Sequence, residues 1–208
     1  MVGEGVLHEC LEHADVESIL LISRRSCNNG HPKIKEILYD NFYDFSSLKK
    51  EMKGYNACFF CMGVSSLGMK EDKYTRITYD ITMAAARELS KINPKMTFTY
   101  VSGESTDSSE KGRMMWARVK GRTENDLIKL FKSAYMFRPA FIQPTRGLKN
   151  TYLFYKIITP LIPLIKLVAP KYICSLKEVG IAMIHCVTKG YSKKHLEVAD
   201  IKKLAKSD

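Results

Sequence analysis

Several features that mark other protein classes are missing from this sequence. No stretch of about 18 or more residues is free of both charge and proline, so no membrane-spanning helix is predicted. The amino terminus lacks a basic flank followed by an apolar core, which argues against a secretory signal. The histidines show no metal-ligand spacing. We therefore expect a cytoplasmic protein without a metal site.

The cysteines and basic residues form no motif either. Six cysteines are scattered along the chain, mostly in apolar surroundings, which favours buried thiols in a reducing compartment over a disulfide framework. The formal net charge is +11, but the lysines are spread out, and neither a helix-turn-helix pattern nor an aromatic-interleaved basic motif accompanies them. A solvated basic surface is therefore favoured over a nucleic-acid site.

The sequence does contain enough apolar residues for a core. Its 208 residues are 45% hydrophobic and 26% charged, which is typical of one globular domain. After Gly147 the character changes, because Pro160, Pro163 and Pro170 interrupt an apolar stretch and preclude one long straight helix. We predict a nucleotide-binding core over residues 1–147 and a C-terminal substrate or lid region, packed on the same domain, over residues 148–208.

Apolar runs typical of buried strands alternate with segments of helical periodicity. The predicted strands cover residues 16–23, 34–39, 57–62, 96–101 and 135–142. The predicted helices cover residues 5–13, 47–53, 73–92, 115–132 and 176–189, and the last begins at a Ser175–Glu178 capping box. This alternation predicts an α/β fold with a mainly parallel, doubly wound sheet.

Distinctive residues follow most of these strands. They are Arg24-Arg25, Asp40, Cys61-Met62-Gly63-Val64, Ser102 and Arg138-Pro139. In their order along the chain, these residues and elements resemble the atypical short-chain dehydrogenases/reductases. The similarity is greatest to the epimerase-like and Tat-interacting-oxidoreductase-like NAD(P)-binding proteins, and it extends over nearly the whole chain.

The resemblance implies an incomplete amino terminus. Met1-Val2-Gly3 resembles the end of the family's Gly-x-x-Gly-x-x-Gly turn, with Gly3 as its final glycine, although Gly3 is also readable as an ordinary terminal residue. We therefore expect a truncated Rossmann-like sheet that lacks its usual first strand, with a small helical C-terminal part. The two strands flanking that position would then expose unpaired edges.

The resemblance also implies cofactor contacts. Arg24 and Arg25, with no acid beside them, favour NADP and leave NAD open; they are equally readable as surface charges. Asp40 resembles the family's acid near the adenine, or else starts the following turn. The Cys61–Val64 loop would lie along the middle of the cofactor, and Arg138-Pro139 near the nicotinamide.

The catalytic residues implied by the resemblance are Ser102 and Lys120. Ser102 would hydrogen-bond a substrate oxygen, and Lys120 would bind the nicotinamide ribose, unless it is a solvent-facing helix lysine. The family's tyrosine is replaced by Trp116, whose indole N–H cannot shuttle a proton near neutral pH. The Cys58–Cys61 pair is not a redox motif, because residues three apart on a strand point to opposite faces.

Three functions follow from these observations. The first is an NAD(P)-binding oxidoreductase or sugar-nucleotide-epimerase-like protein, weak or inactive as this chain, with a carbonyl compound or sugar nucleotide as substrate and a homodimer by family analogy. The second, favoured by Trp116, is a cofactor-sensing or partner-binding protein without turnover. The third is attachment to a membrane surface through residues 152–168, for which a pocket lid or dimer surface is the preferred alternative.

Overall fold

The structure is a computed structural model that describes residues 1–145 and 170–207. The strands are β1 (Ile19–Ser23), β2 (Ile34–Leu38), β3 (Ala57–Phe60), β4 (Thr97–Val101), β5 (Ser133–Arg138), β6 (Phe141–Gln143), β7 (Ile173–Ser175) and β8 (His195–Glu197). The helices are α1 (Val2–Glu12), α2 (Lys49–Met52), α3 (Glu71–Thr75), α4 (Ile81–Ile92), α5 (Met115–Leu130), α6 (Leu176–Thr188) and α7 (Val198–Ala205).

Every strand pair in the described residues is parallel. One sheet has the order β3-β4-β5-β8, and two further sheets are the pairs β1-β2 and β6-β7. Helices connect most of the parallel neighbours, as parallel pairing requires. The predicted α/β class with a Rossmann-like parallel sheet is therefore confirmed.

The two-stranded sheet β1-β2 and the four-stranded sheet belong to one layer. Ile19 of β1 and Phe59 of β3 pack against the same apolar cluster, which contains α1 and α6. Leu20 of β1 and Cys58 of β3 pack against the other cluster, which contains α4 and α5. Within the described residues β1 and β3 share no ladder, so the layer is interrupted between them.

The C-terminal helix α6 begins and ends as the sequence predicts. The Ser175 side chain accepts the Glu178 amide, and the Glu178 carboxylate accepts the Ser175 amide, which completes the capping box. Gly190 follows with φ +70°, a conformation that suits glycine. The helix packs on α1 at glycines: a Cβ on Gly180 would lie 2.7 Å from Glu9 Cγ.

Several elements differ from the sequence prediction. The expected strand over 135–142 is two strands, because Pro139 has no N–H to continue the ladder, and β6 pairs with β7 instead of joining the large sheet. The predicted helix over 73–92 begins at Glu71 and contains a π-helical segment at Arg76–Asp80. The short elements β7, β8 and α7 were not predicted.

The described residues contain no helix that is long and apolar enough to cross a membrane. The proposed membrane-surface segment over 152–168 and the boundary at residues 147 and 148 lie outside the described residues. These interpretations stay predictions.

Candidate functional site

A cleft of about 530 Å³ opens at the carboxyl end of β4. Its apolar lining includes Val64, Val101, Trp116, Pro139 and Ile142. Its polar lining comes from Ser65, Ser102, Glu104 and Lys120. The volume falls within the roughly 300–1,000 Å³ typical of ligand pockets, and the carboxyl edge of parallel strands is where this architecture binds ligands.

The amino end of α1 forms one side of this cleft through Met1 and Val2. The helix has 11 residues, and the side chain of its N-cap residue, Met1, makes no capping hydrogen bond within the described part of the chain. Its first amide groups and its dipole therefore favour an anion at this end. The turn after β3 lies beside it, since a Cβ on Gly3 would be 3.4 Å from Cys61 Cβ.

Lys120 reaches the cleft from the middle of α5. Its ammonium group donates a hydrogen bond to the carbonyl oxygen of Ser102, the residue that follows β4. Burial lowers the pKa of Lys120 to about 8, against the opposing attraction of Glu124. The structure therefore places this lysine in the cleft rather than in open solvent.

Ser102 also lines the cleft, but its hydroxyl is engaged within the protein. The Oγ atom donates to Oε1 of Glu124 at 2.5 Å and lies 3.1 Å from the Phe137 carbonyl oxygen. A substrate oxygen would have to compete with a buried carboxylate for this proton. The predicted role of Ser102 as a substrate donor thus requires a rotation of its side chain.

Glu124 is the central charge beneath the cleft, and it was not among the site residues predicted from the sequence. It is fully buried and pairs with Arg138, whose Nε lies 3.1 Å from Oε1 and 3.2 Å from Oε2. His195 Nε2 lies 3.5 Å from Oε2, and burial lowers the pKa of His195. Glu124 lies one helical turn after Lys120, and that i, i+4 spacing was the available signal.

Arg138 is occupied by this network instead of lining the cleft. Besides pairing with Glu124, it donates to the Ser108 hydroxyl at 2.6 Å and so ties the loop after β4 to the end of β5. The neighbouring Pro139 does line the cleft. The structure brings only the second member of the predicted Arg-Pro pair to the site.

The loop after β3 is only partly at the cleft. Val64 lines it, and a Cβ on Gly63 would meet no atom within 4 Å, so the backbone there is open to a ligand. Cys61 and Met62 are half-buried. Cys58 and Cys61 pack in opposite apolar clusters, which agrees with the rejection of a redox pair.

The remaining predicted residues lie on the two-stranded sheet. Arg24 and Arg25 follow β1 and are exposed, and Asp40 follows β2 and is exposed. The Asp40 carbonyl accepts the Phe42 amide at 3.2 Å, so Asp40 does begin a turn. None of the three lines the cleft, and their cofactor contacts stay predictions.

Comparison with known proteins supports the fold. No family model matches the chain. Over 98 residues the chain is 32% identical to Protein FMP52-2, mitochondrial, from Scheffersomyces stipitis, a match that covers 46% of this chain and 41% of that protein. The chain thus spans less than half of the curated relative it matches.

Solved structures match over most of the chain. The dTDP-glucose 4,6-dehydratase DesIV from Streptomyces venezuelae, with NAD and TYD bound, gives a TM-score of 0.69 at 10% identity, covering 95% of this chain and 72% of DesIV. UDP-N-acetylglucosamine 4-epimerase from Bacillus cereus gives 0.66 at 13% identity, covering 98% of this chain and 78% of the enzyme. At these identities the similarity concerns the fold. The chain has the Rossmann-like fold that these epimerase and dehydratase structures share.

Proposed function

We propose that this protein binds a nicotinamide dinucleotide at the carboxyl edge of its parallel strands and acts on a carbonyl compound or sugar nucleotide. The observation that carries the proposal is the cleft of about 530 Å³ between the amino end of α1 and Lys120. An anion-favouring helix end and a cationic side chain face one ligand-sized space. A phosphorylated ligand with ribose hydroxyls matches both.

The residues present fit the cofactor. The first-turn amides of α1 suit its phosphates, and the open backbone at Gly63 permits close approach of its middle. The Lys120 ammonium has three donors, of which the Ser102 carbonyl takes one, so ribose hydroxyls can accept the others. When bound, the cofactor would supply or accept a hydride, while these side chains bind and orient it.

A second candidate function is cofactor binding without turnover. Trp116 lines the cleft, and its indole N–H cannot carry a proton between solvent and substrate. The Ser102 hydroxyl donates to Glu124 rather than toward the cleft. Both observations favour a sensing or partner-binding role on the same cofactor site.

Calorimetric titration of the purified chain with NADPH and NADH tests the binding proposal. We expect saturable binding that weakens at least about tenfold in Lys120→Met, since a charged donor is lost at the ribose. The exposed Lys95 provides the matched control, and Lys95→Met should bind as the unaltered chain does. No heat of binding at millimolar cofactor in the unaltered chain would overturn the proposal.

Turnover separates the two candidates. Oxidation of NADPH in the presence of aldehydes, or conversion of UDP-sugars in the presence of NAD⁺, would establish the enzymatic function, whereas cofactor binding without either reaction across such a panel would establish the sensing function. We also propose a preference for NADP, a homodimer and a cytoplasmic location. They rest on Arg24 and Arg25, on family analogy and on composition, respectively.

A further inference from the structure

The Lys120 amine has surroundings that the binding of a cofactor does not require. The cleft that it faces is lined by the apolar side chains of Val101, Trp116 and Ile142 as well as by polar groups. The side chain is half-buried, and it is the only lysine or arginine among the residues described as lining the cleft. A primary amine is thus presented to a space that can hold a small organic molecule.

We propose that the ε-amine of Lys120 is a nucleophile that forms an imine with a small aldehyde or ketone bound in this cleft. This activity goes beyond the proposed cofactor binding and does not depend on it. Lysines placed among apolar side chains are suited to this chemistry, because an apolar setting disfavours the ammonium form and leaves the free amine to attack.

The step is balanced without any further reagent. The nitrogen lone pair of the free amine attacks the carbonyl carbon, a C–N bond forms, and the π electrons move to the oxygen, which takes a proton. The resulting carbinolamine loses its hydroxyl as water and the nitrogen loses its proton, giving the C=N bond. Glu104 lines the cleft and can exchange the protons with solvent.

The surroundings of Lys120 have opposing effects on its pKa. Burial lowers its pKa to about 8, and the attraction of Glu124 opposes that shift. Glu124 is itself paired with Arg138, and Glu104 is an exposed carboxylate on the loop after β4. Near pH 7.4 a group with a pKa of about 8 is roughly one-fifth free amine, whereas an ordinary lysine is roughly one-thousandth free amine.

Reductive trapping with propanal and cyanoborohydride tests the imine directly. After brief treatment of the folded chain at pH 7.4, peptide mass spectrometry should find propyl groups on Lys120 at least about tenfold faster than on the exposed Lys95. The rate at Lys120 should level off above about pH 8, while the rate at Lys95 keeps rising. Labelling of Lys120 no faster than Lys95, or no levelling, would overturn the proposal.

Matched variants and cofactor separate this inference from the proposed function. Peptide mass spectrometry, which separates the α-amino group from the lysines, should show that Lys120→Arg loses the fast propyl addition at position 120 and that Lys95→Arg keeps it. Saturating NADP⁺ should slow trapping at Lys120 if the dinucleotide occupies the same cleft. Fast trapping that NADP⁺ does not slow would support the imine and count against the proposed cofactor placement. Slow trapping with normal NADPH binding would overturn the imine and leave the proposed cofactor binding in place.

Discussion

The four-stranded sheet and the two-stranded sheet use similar apolar strands but are buried to different degrees. In β4 the residues from Thr97 to Tyr100 are buried, and in β5 those from Ala134 to Phe137 are buried. All five residues of β1 remain partly exposed, and Leu38 at the end of β2 is 59% exposed. These better-covered strands, β4 and β5, end at the cleft, whereas most residues of β3 in the same sheet are partly exposed.

The charged residues at the strand ends follow the same division. Beneath the cleft, Glu124 and Arg138 form a buried pair that also holds Ser102 and the loop after β4. Beyond β1, Arg24 and Arg25 stand in solvent. Buried partners determine the positions of the first group, so changes there should alter folding and site geometry together. Changes at the exposed arginines should alter ligand binding alone.

Removing Arg138 should produce the largest effect. Arg138→Met leaves the fully buried Glu124 without its cationic partner, and an uncompensated buried charge costs about 3–5 kcal/mol. The free energy of unfolding from urea denaturation should fall by that amount. Arg24→Met at the end of β1 is the matched control, with an expected change below about 0.5 kcal/mol. Equal losses in the two variants would remove the distinction between the regions.

The second-largest loss of stability is expected at a glycine near the four-stranded sheet, with a glycine of the two-stranded sheet as its control. A Cβ on Gly121 of α5 would lie 1.8 Å from the Asp107 carbonyl oxygen, so the loop after β4 must move away. Gly121→Ala should lower the free energy of unfolding by about 3 kcal/mol, and calorimetric binding of NADPH should weaken as that loop shifts.

Gly30 in the loop between β1 and β2 supplies the matched control. A Cβ there meets no atom within 4 Å, so Gly30→Ala should be neutral or stabilise the chain by up to about 1 kcal/mol. If Gly121→Ala unfolded at the same denaturant concentration as the unaltered chain, the close approach of α5 to the loop would be refuted.

Local signals explain which parts of this fold were predictable. The capping box at Ser175 depends on residues close together in the sequence, and so does the periodicity of the helices and strands. Both can therefore be predicted from the sequence. The three-residue strands β7 and β8 are too short to show a period, and only pairing with β6 and β5 defines them. Pro139 marked the end of β5, but nothing local indicated that β6 would leave the large sheet.

The site was predictable to the same extent. The position of Ser102 at a strand end and that of Lys120 on the next helix can be predicted from the sequence alone. The direction of the Ser102 hydroxyl cannot, because it depends on Glu124 and Arg138, which come from different elements. Glu124 is charged and so resembles a surface residue in sequence. Its burial follows from a partner 14 positions away.

The half-buried Lys120 should give stability a measurable pH dependence. Its folded-state pKa of about 8 lies below its unfolded value, so between those values the unfolded chain binds more protons. Stability therefore rises with pH in this window. The free energy of unfolding of the unaltered chain, minus that of Lys120→Met, should increase by about 2 kcal/mol from pH 8 to pH 10. A difference that stayed constant across this range would show that the ammonium group is not disfavoured by burial.

The smallest expected effect lies at the exposed end of β1. Replacing Arg24 and Arg25 with glutamine removes the charges proposed to attract a 2′-phosphate, while neither side chain takes part in the buried network beneath the cleft. NADPH affinity, measured by calorimetry, should fall by about fivefold to tenfold, which corresponds to about 1 kcal/mol, and NADH affinity should stay the same. The thermal unfolding midpoint should not change, because exposed charges contribute little to stability. Parallel losses for both dinucleotides would assign these arginines to general attraction of anions. A loss of stability instead would mean that these arginines stabilise the two-stranded sheet. That result would contradict the contrast between the buried charges beneath the cleft and the exposed charges after β1.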